Sequence, residues 1–536
     1  MRDMKTAVPA AVGRGRATSV ALAALCTLLF LTFLDNTVVS VGLGSVQTDL
    51  KASIADMQWV VGAYALTFAS IMLACGMIGD ELGRKAVMLT GAGVFCAGSV
   101  LCALAPNADT LIAGRAIMGL GAAASEPGTL SILRQIYTDG RARARAVGVW
   151  AAVSGLALAL GPVIGGALVG AWNWRGIFWF NLAFGLAALI VAAVTVPESS
   201  DPTAARVDTA GTLLGAGTLA ALMFAIIDSE TAGFASVEVV ALLCVAAAGA
   251  VAFVFWERRA AHPLLDLKLF RLPSFWVPCV VALFTYLATF AIFFFTALYL
   301  VEVPSDSGYK IALVFAPMTV LMIFASILTG YWTGRTGPRW PITLGCAAFA
   351  AGLLIAAPLV TPHPDYVSLS AALALAGFGI GITVVPVTTA VLDTVPPQRS
   401  GMAASAVNTS REIGAVAGAS VLGALVFSQL NSSLSANLAN LSVPASEKAQ
   451  IVAFKPLIIQ VIETGQTGVL GGGYSRYGGI VNKVIGAAYG AFGDGLHAAF
   501  YLSAGLVILA GLLAAFTLGK RPATETSRQD LTATTV

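Results

Sequence analysis

The sequence predicts an all-α polytopic membrane protein with about fourteen transmembrane helices, and three observations carry that prediction. Of its 536 residues, 58% are hydrophobic and only 11% charged, more apolar surface than a water-soluble fold can hide. Apolar stretches long enough to cross about 30 Å of hydrocarbon recur along the whole chain. Lys and Arg then alternate between connections. Roughly 21 fall in one set, which includes both tails, "ELGRKA", "RQIYTDGRARARA" and "TGRTGPR", and roughly 7 in the other. By the positive-inside rule both termini are cytoplasmic.

A basic tail, 1–17, leads into the first span, 18–43. Its opening imitates a secretion signal, but the apolar run continues through Asp35, too far for one, so it is read as a retained helix. Spans follow near 57–78, 86–105, 109–133, 146–170 and 176–196, closing a first six-helix bundle over 18–200. Two linking helices near 210–228 and 237–256, with a cytoplasmic connection, occupy 201–273. A last six-helix bundle, 274–518, holds spans near 274–301, 311–332, 341–360, 366–392, 402–427 and 495–518, followed by a tail, 519–536. Within it, the polar, Gly-rich segment 428–494 ("LGGGYSRYGG") reads as an external loop with short interfacial elements, either a lid or a tolerated insertion.

Several function classes drop out. The net charge is +3 and no basic cluster is interleaved with aromatics, so nucleic acid is not an expected partner. The seven cysteines lie in apolar runs and read as small buried hydrophobes. No Gly-Lys-Ser/Thr loop exists for direct ATP coupling, and His262, His363 and His497 have neither zinc spacing nor a nucleophile beside them. No metal, no cofactor and no enzymatic catalysis are expected.

An aspartate inside an apolar span is costly unless paired. Asp35 lies about 12 Å from the outer end of span one, and Arg115, on the antiparallel span four, about 9 Å from its own outer end. An Asp35–Arg115 contact is therefore predicted. An aspartate held by arginine stays ionised, whereas one separated from it and desolvated takes up a proton. Asp35 reads as a proton-responsive carboxylate, with a static ion pair as the alternative. Glu126, three turns beyond Arg115 and just before Pro127, projects from nearly the same face about 16 Å deeper. It could bind a cationic substrate or a second proton, pair with an unidentified base, or be solvated at a cavity mouth. Asp393, Arg411 and Glu412 are placed near the inner ends of spans twelve and thirteen, where interfacial pairing is expected.

"GMIGDELGRK" (Gly76 to Lys85) is echoed by "GYWTGRTGPR" (Gly330 to Arg339) in the last bundle. The first copy resembles the loop signature of the major facilitator superfamily, and "GPVIGG" (Gly161 to Gly166) its antiporter signature. "LDNTVVSVGL", "RAIMGLGAAASEP", "WRGIFWFNL" and "VPPQRSGMAASAVNTSREIGAVAG" resemble its fourteen-spanner drug:proton antiporter branch of multidrug efflux type. The resemblance spans nearly the whole chain. It implies two six-helix bundles plus two additional helices, alternating access, and proton-coupled export of small amphipathic or cationic compounds across a bacterial inner membrane. A lipid or glycolipid transporter, or a non-transporting sensor, are the alternatives on the same fold. Small-molecule substrates, protons and membrane lipids are the expected partners, and a monomer the expected state.

In the first loop copy the family implies a conformational latch made by Gly76, Asp80, Gly83, Arg84 and Lys85, against the plainer reading of a topology-setting basic loop. Gly334 stands where the second copy would need an acid, which weakens that latch. Gly155, Gly161, Pro162, Gly165 and Gly166 imply an antiporter-type seal, though a Gly-rich membrane helix also serves plain packing. Tyr64, Phe68, Met118, Tyr286, Phe290 and Asn408 are candidates for a substrate cavity. Met118 replaces a common Gln of the family, and Ser40 and Gly44 an expected Asn and Pro. Trp172, Trp174 and Trp340 read as interface anchors.

Overall fold

Hydrocarbon offers no water to a bare N–H or C=O, so apolar segments of this length satisfy their backbone internally, as helices. The computed structural model describes residues 11–52, 54–198, 208–260, 263, 265–302, 308–396, 399–439 and 478–519. The first bundle comprises α1 (Ala11–Leu50), α2 (Ile54–Leu82), α3 (Arg84–Ala103), α4 (Ala108–Ile136), α5 (Gly140–Ala171) and α6 (Arg175–Thr195). The linking pair is α7 (Thr209–Ala232) and α8 (Val237–Glu257). The last bundle holds α9 (Pro273–Glu302), α10 (Gly308–Thr336), α11 (Arg339–Ala356), α12 (Tyr366–Thr394), α13 (Ser400–Ala417), α14 (Gly423–Ala439) and α15 (Gly478–Thr517). A π-helical turn, Gly418–Leu422, joins α13 to α14. No strand occurs among the described residues.

Eleven of these stretches are long and apolar enough to cross a membrane, which makes the chain a multi-pass membrane protein. The sequence leads one to expect fourteen. The shortfall is α4, which carries Asp109, Arg115, Glu126 and Arg134, together with α5 and α9, whose described apolar part is the shorter Pro273–Thr289. The predicted external loop also shrinks, because α14 runs on to Ala439 and α15 begins at Gly478. Its middle, 440–477, and the tails 1–10 and 520–536 lie outside the described residues.

Without a hydrophobic drive between helices in lipid, close backbone contact through small residues holds the bundles together. A Cβ on Gly121 of α4 would collide with the Phe95 backbone nitrogen of α3; on Gly379 of α12, it would collide with the Phe349 backbone nitrogen of α11. The two bundles thus repeat one crossing. On the linking pair, α7 packs on α2, with the Trp59 and Phe224 rings 4.7 Å apart, while α8 leaves Val237, Val245, Val251 and Phe255 exposed.

Two sequence expectations change here. Trp172 and Trp340 are exposed, as anchors should be, but Trp174 is 1% exposed and donates its indole N–H to Asp49 (3.0 Å). Arg175 also pairs with Asp49, and the two donors hold that carboxyl below the usual carboxylate range, pinning the end of α1 to α6. Cys244 is exposed on α8, unlike the other six cysteines.

Candidate functional site

Counting depth from the helix ends puts Asp35 and Arg115 at one level, and the structure brings them into contact: an Arg115 Nη1 donates to Asp35 Oδ2, with both residues buried. Arg115 is held from behind. Its Nε donates to the Val60 carbonyl (2.9 Å) and its guanidinium lies 4.5 Å over the Tyr64 ring. Tyr64 in turn donates to the Thr32 carbonyl (3.3 Å) and packs against Phe68, ring to ring at 5.6 Å. The other carboxylate oxygen of Asp35 accepts from Asn181 Nδ2 (2.6 Å) on α6. Sequence reasoning missed Asn181, although it lies in the quoted "WRGIFWFNL" and at a depth close to that of the pair.

Asp35, Arg115, Val60 and Asn181 all belong to α1–α6. Rigid rocking of one bundle on the other therefore leaves their separation unchanged. Any coupling has to run through movement inside the first bundle.

A second buried cluster lies between the bundles. Glu126 of α4 interacts electrostatically with Glu412 and Arg411 of α13, and all three are buried. Arg411 donates to Asn408 Oδ1 (2.9 Å) and Thr388 Oγ1 (2.5 Å), with the rings of Trp150 and Tyr286 at 5.6 and 5.4 Å. Glu126 Oε2, Arg411 Nε and Asn408 Nδ2 have no hydrogen-bond partner among the described residues. The expected position of Arg411 and Glu412 near an inner helix end is corrected. Eleven or more residues into α13, at 1.5 Å per residue, puts them roughly 17 Å deep. Asp393 does pair at the surface, with Arg143 (2.5 Å). Met118 is buried and packs on α3, its Sδ 3.7 Å from Cys102 Sγ. The side chain of Phe290 lies outside the described residues.

The third feature is an interlocked seam. Asp80 takes Arg84 Nε (2.8 Å) and reaches into the other bundle, where its oxygens accept from the backbone N–H groups of Gly401 (3.0 Å) and Met402 (3.2 Å). These are the first amides of α13, whose own flanking residue, Arg399, supplies no side-chain cap. Gly76 allows the approach, since a Cβ there would meet the Gly401 carbonyl at 2.6 Å. Gly83 has φ +111°, a conformation that favours glycine. Lys85 stays within its own bundle, donating to the Ala193 carbonyl (2.7 Å). Arg134 adds a crossing hydrogen bond to the Val395 carbonyl (2.6 Å).

The glycines of α5 divide by face. Gly161 and Gly165 abut Thr37 and Val38 of α1, just past Asp35, whereas Gly155 abuts Met322 of α10 in the other bundle. A Cβ on Gly166 would meet nothing within 4 Å, so this glycine takes no part in close packing. The side chain of Pro162 lies outside the described residues.

Comparison with known proteins fits this architecture. Residues 25–419 match the family described as Major Facilitator Superfamily. The chain is 32% identical over 425 residues to the multidrug resistance protein Stp of Mycobacterium tuberculosis, covering 79% of each. It is 33% identical over 395 residues to the methylenomycin A resistance protein of Bacillus subtilis, covering 73% of this chain and 84% of that one. Among solved structures, a bacterial homologue of the human lysosomal transporter Spinster, inward-facing and occupied, shares the fold with a TM-score of 0.59 at 18% identity, over 93% and 97% of the two chains. The human organic anion transporter MFSD10 gives 0.58 at 16%, over 94% and 99%. On the sequence match together with two pseudo-repeated helix bundles, the chain belongs to the Major Facilitator Superfamily, in its drug-efflux type, and is a membrane transporter rather than an enzyme.

Proposed function

We propose that the chain exports amphipathic or cationic small molecules in exchange for protons across a bacterial inner membrane, as a monomer with both termini cytoplasmic. The observation that carries this reading is the buried Asp35–Arg115 pair. A carboxylate so placed is tolerated because it is paired, and protonation removes the charge that the pairing answers. Arg115 keeps the Val60 carbonyl and the Tyr64 ring whatever the state of Asp35, so α1 is the element released. α1 bears on α5 through Gly161 and Gly165, and α5 bears on α10 through Gly155. Release of α1 thereby reaches the seam between the bundles 18–200 and 274–518.

With both carboxyls ionised, Glu126, Glu412 and Arg411 sum to one negative charge between the bundles, beside Trp150 and Tyr286, which suits a monovalent organic cation. The relatives named for multidrug and methylenomycin A resistance speak for efflux over lipid transport or sensing. The test is purified protein in liposomes with an imposed pH gradient and a fluorescent cationic dye. Asp35→Asn is expected to abolish gradient-driven dye movement while inserting normally, and Glu126→Gln to weaken dye binding. Full dye transport in Asp35→Asn overturns the reading.

A further inference from the structure

Asn181 is fully buried, and its two amide ends are treated unequally: Nδ2 donates to Asp35 Oδ1 at 2.6 Å, while Oδ1 has no hydrogen-bond partner among the described residues. Buried polar atoms are rarely left so. We propose that Asn181 is a positioning residue serving both protonation states of Asp35, its amide turning over when the proton arrives. This rests on the exchange reading above.

The ionised carboxylate needs donors, and Arg115 and the Asn181 NH₂ supply them. Once Asp35 carries a proton on Oδ1, that O–H needs an acceptor, and a guanidinium has none to give. A half-turn about the terminal bond of Asn181 exchanges its NH₂ for its carbonyl oxygen with almost no change in volume. The proton comes from the medium and stays on Asp35; no bond of Asn181 is made or broken. Among the described residues, the other charged or titratable groups around Asp35 are Arg115 on α4, Tyr64 on α2 and Cys102 on α3, while α5 packs on this stretch of α1 through Gly161, Gly165 and the Trp150 ring against Phe33. None of them duplicates the amide's two-sided chemistry in contact with Oδ1.

Infrared difference titration of the reconstituted protein, without any gradient, reads this directly. The band of protonated Asp35 is the carboxyl stretch lost in Asp35→Asn. In Asn181→Leu it is expected to move to higher wavenumber, as for an acid that donates no hydrogen bond, and in Asn181→Gln to stay near its wild-type position. Asn181→Ser, too short to reach, is expected to behave like Asn181→Leu and serves if that variant does not insert. Transport should fall at least tenfold in Asn181→Leu and recover in Asn181→Gln. An unmoved band in both Asn181→Leu and Asn181→Ser, or no Asp35 band at any pH, overturns the proposal. A band that responds in a protein showing no proton-driven transport sinks the exchange reading alone and leaves the role of Asn181 standing.

Discussion

Gly76 and Gly330 meet the opposite bundle in the same way, because a Cβ on either would stand 2.6 Å from a carbonyl oxygen, that of Gly401 in one seam and of Ala144 in the other. Four residues on, the copies part. Asp80 caps α13 from across the seam, whereas Gly334 brings no carboxylate, and α5, the helix it faces, is capped by its own Asp139 through the Ala142 N–H (2.8 Å). The second seam has Arg143–Asp393 instead, a partly exposed pair of the kind that contributes little. The repeat has kept the steric fit of both seams and put the polar lock in one. We propose that switching breaks the bond in the first seam and slides the surfaces of the second.

The sharpest way to break that contrast is Asp80→Ala. It removes the carboxylate that Arg84 Nε donates to and uncaps α13, at a cost of about 3–5 kcal/mol to the closed seam. A cysteine placed at Ser405, which lies against Gly76, should then label far faster; unchanged labelling would mean the two seams are alike. Next comes Gly330→Ala, expected to destabilise by about 1–3 kcal/mol in thermal unfolding, since a backbone carbonyl blocks the methyl. Gly76→Ala should cost at least as much, and a harmless change at either would remove the shared steric fit. Asp139→Ala should lose about 1 kcal/mol of cap energy without altering labelling at Ser405, because its cap closes no seam. Smallest is Gly166→Ala, expected within about 0.5 kcal/mol of wild type, which would show that the other glycines matter for what they touch.

Much of this was legible along the chain. Apolar length marked the helices, and counting depth from the helix ends brought Asp35 to Arg115. The same count would have found Asn181, but a lone amide in an apolar helix draws no attention until its partner, on a helix far away in sequence, is known. Glu412 and Arg411 were misjudged because they were referred to the inner end of their span rather than measured from it. The bond across the seam left a trace too. "PPQRSGMAAS" starts a helix at Ser400, and Arg399 before it, a poor capping residue, supplies no side-chain cap to its first amides. Sequence shows such a gap but not what fills it, because the filler is set by how two separate bundles meet.

The borrowed cap on α13 has a consequence for solvent. While the seam is shut, the Gly401 and Met402 amide hydrogens are sealed against a carboxylate; once it parts, water must take the place of Asp80 before the helix end is satisfied. Their exchange with deuterium therefore keeps time with opening, so the rate at which this protein breathes is written in two hydrogens, with no substrate needed to read it.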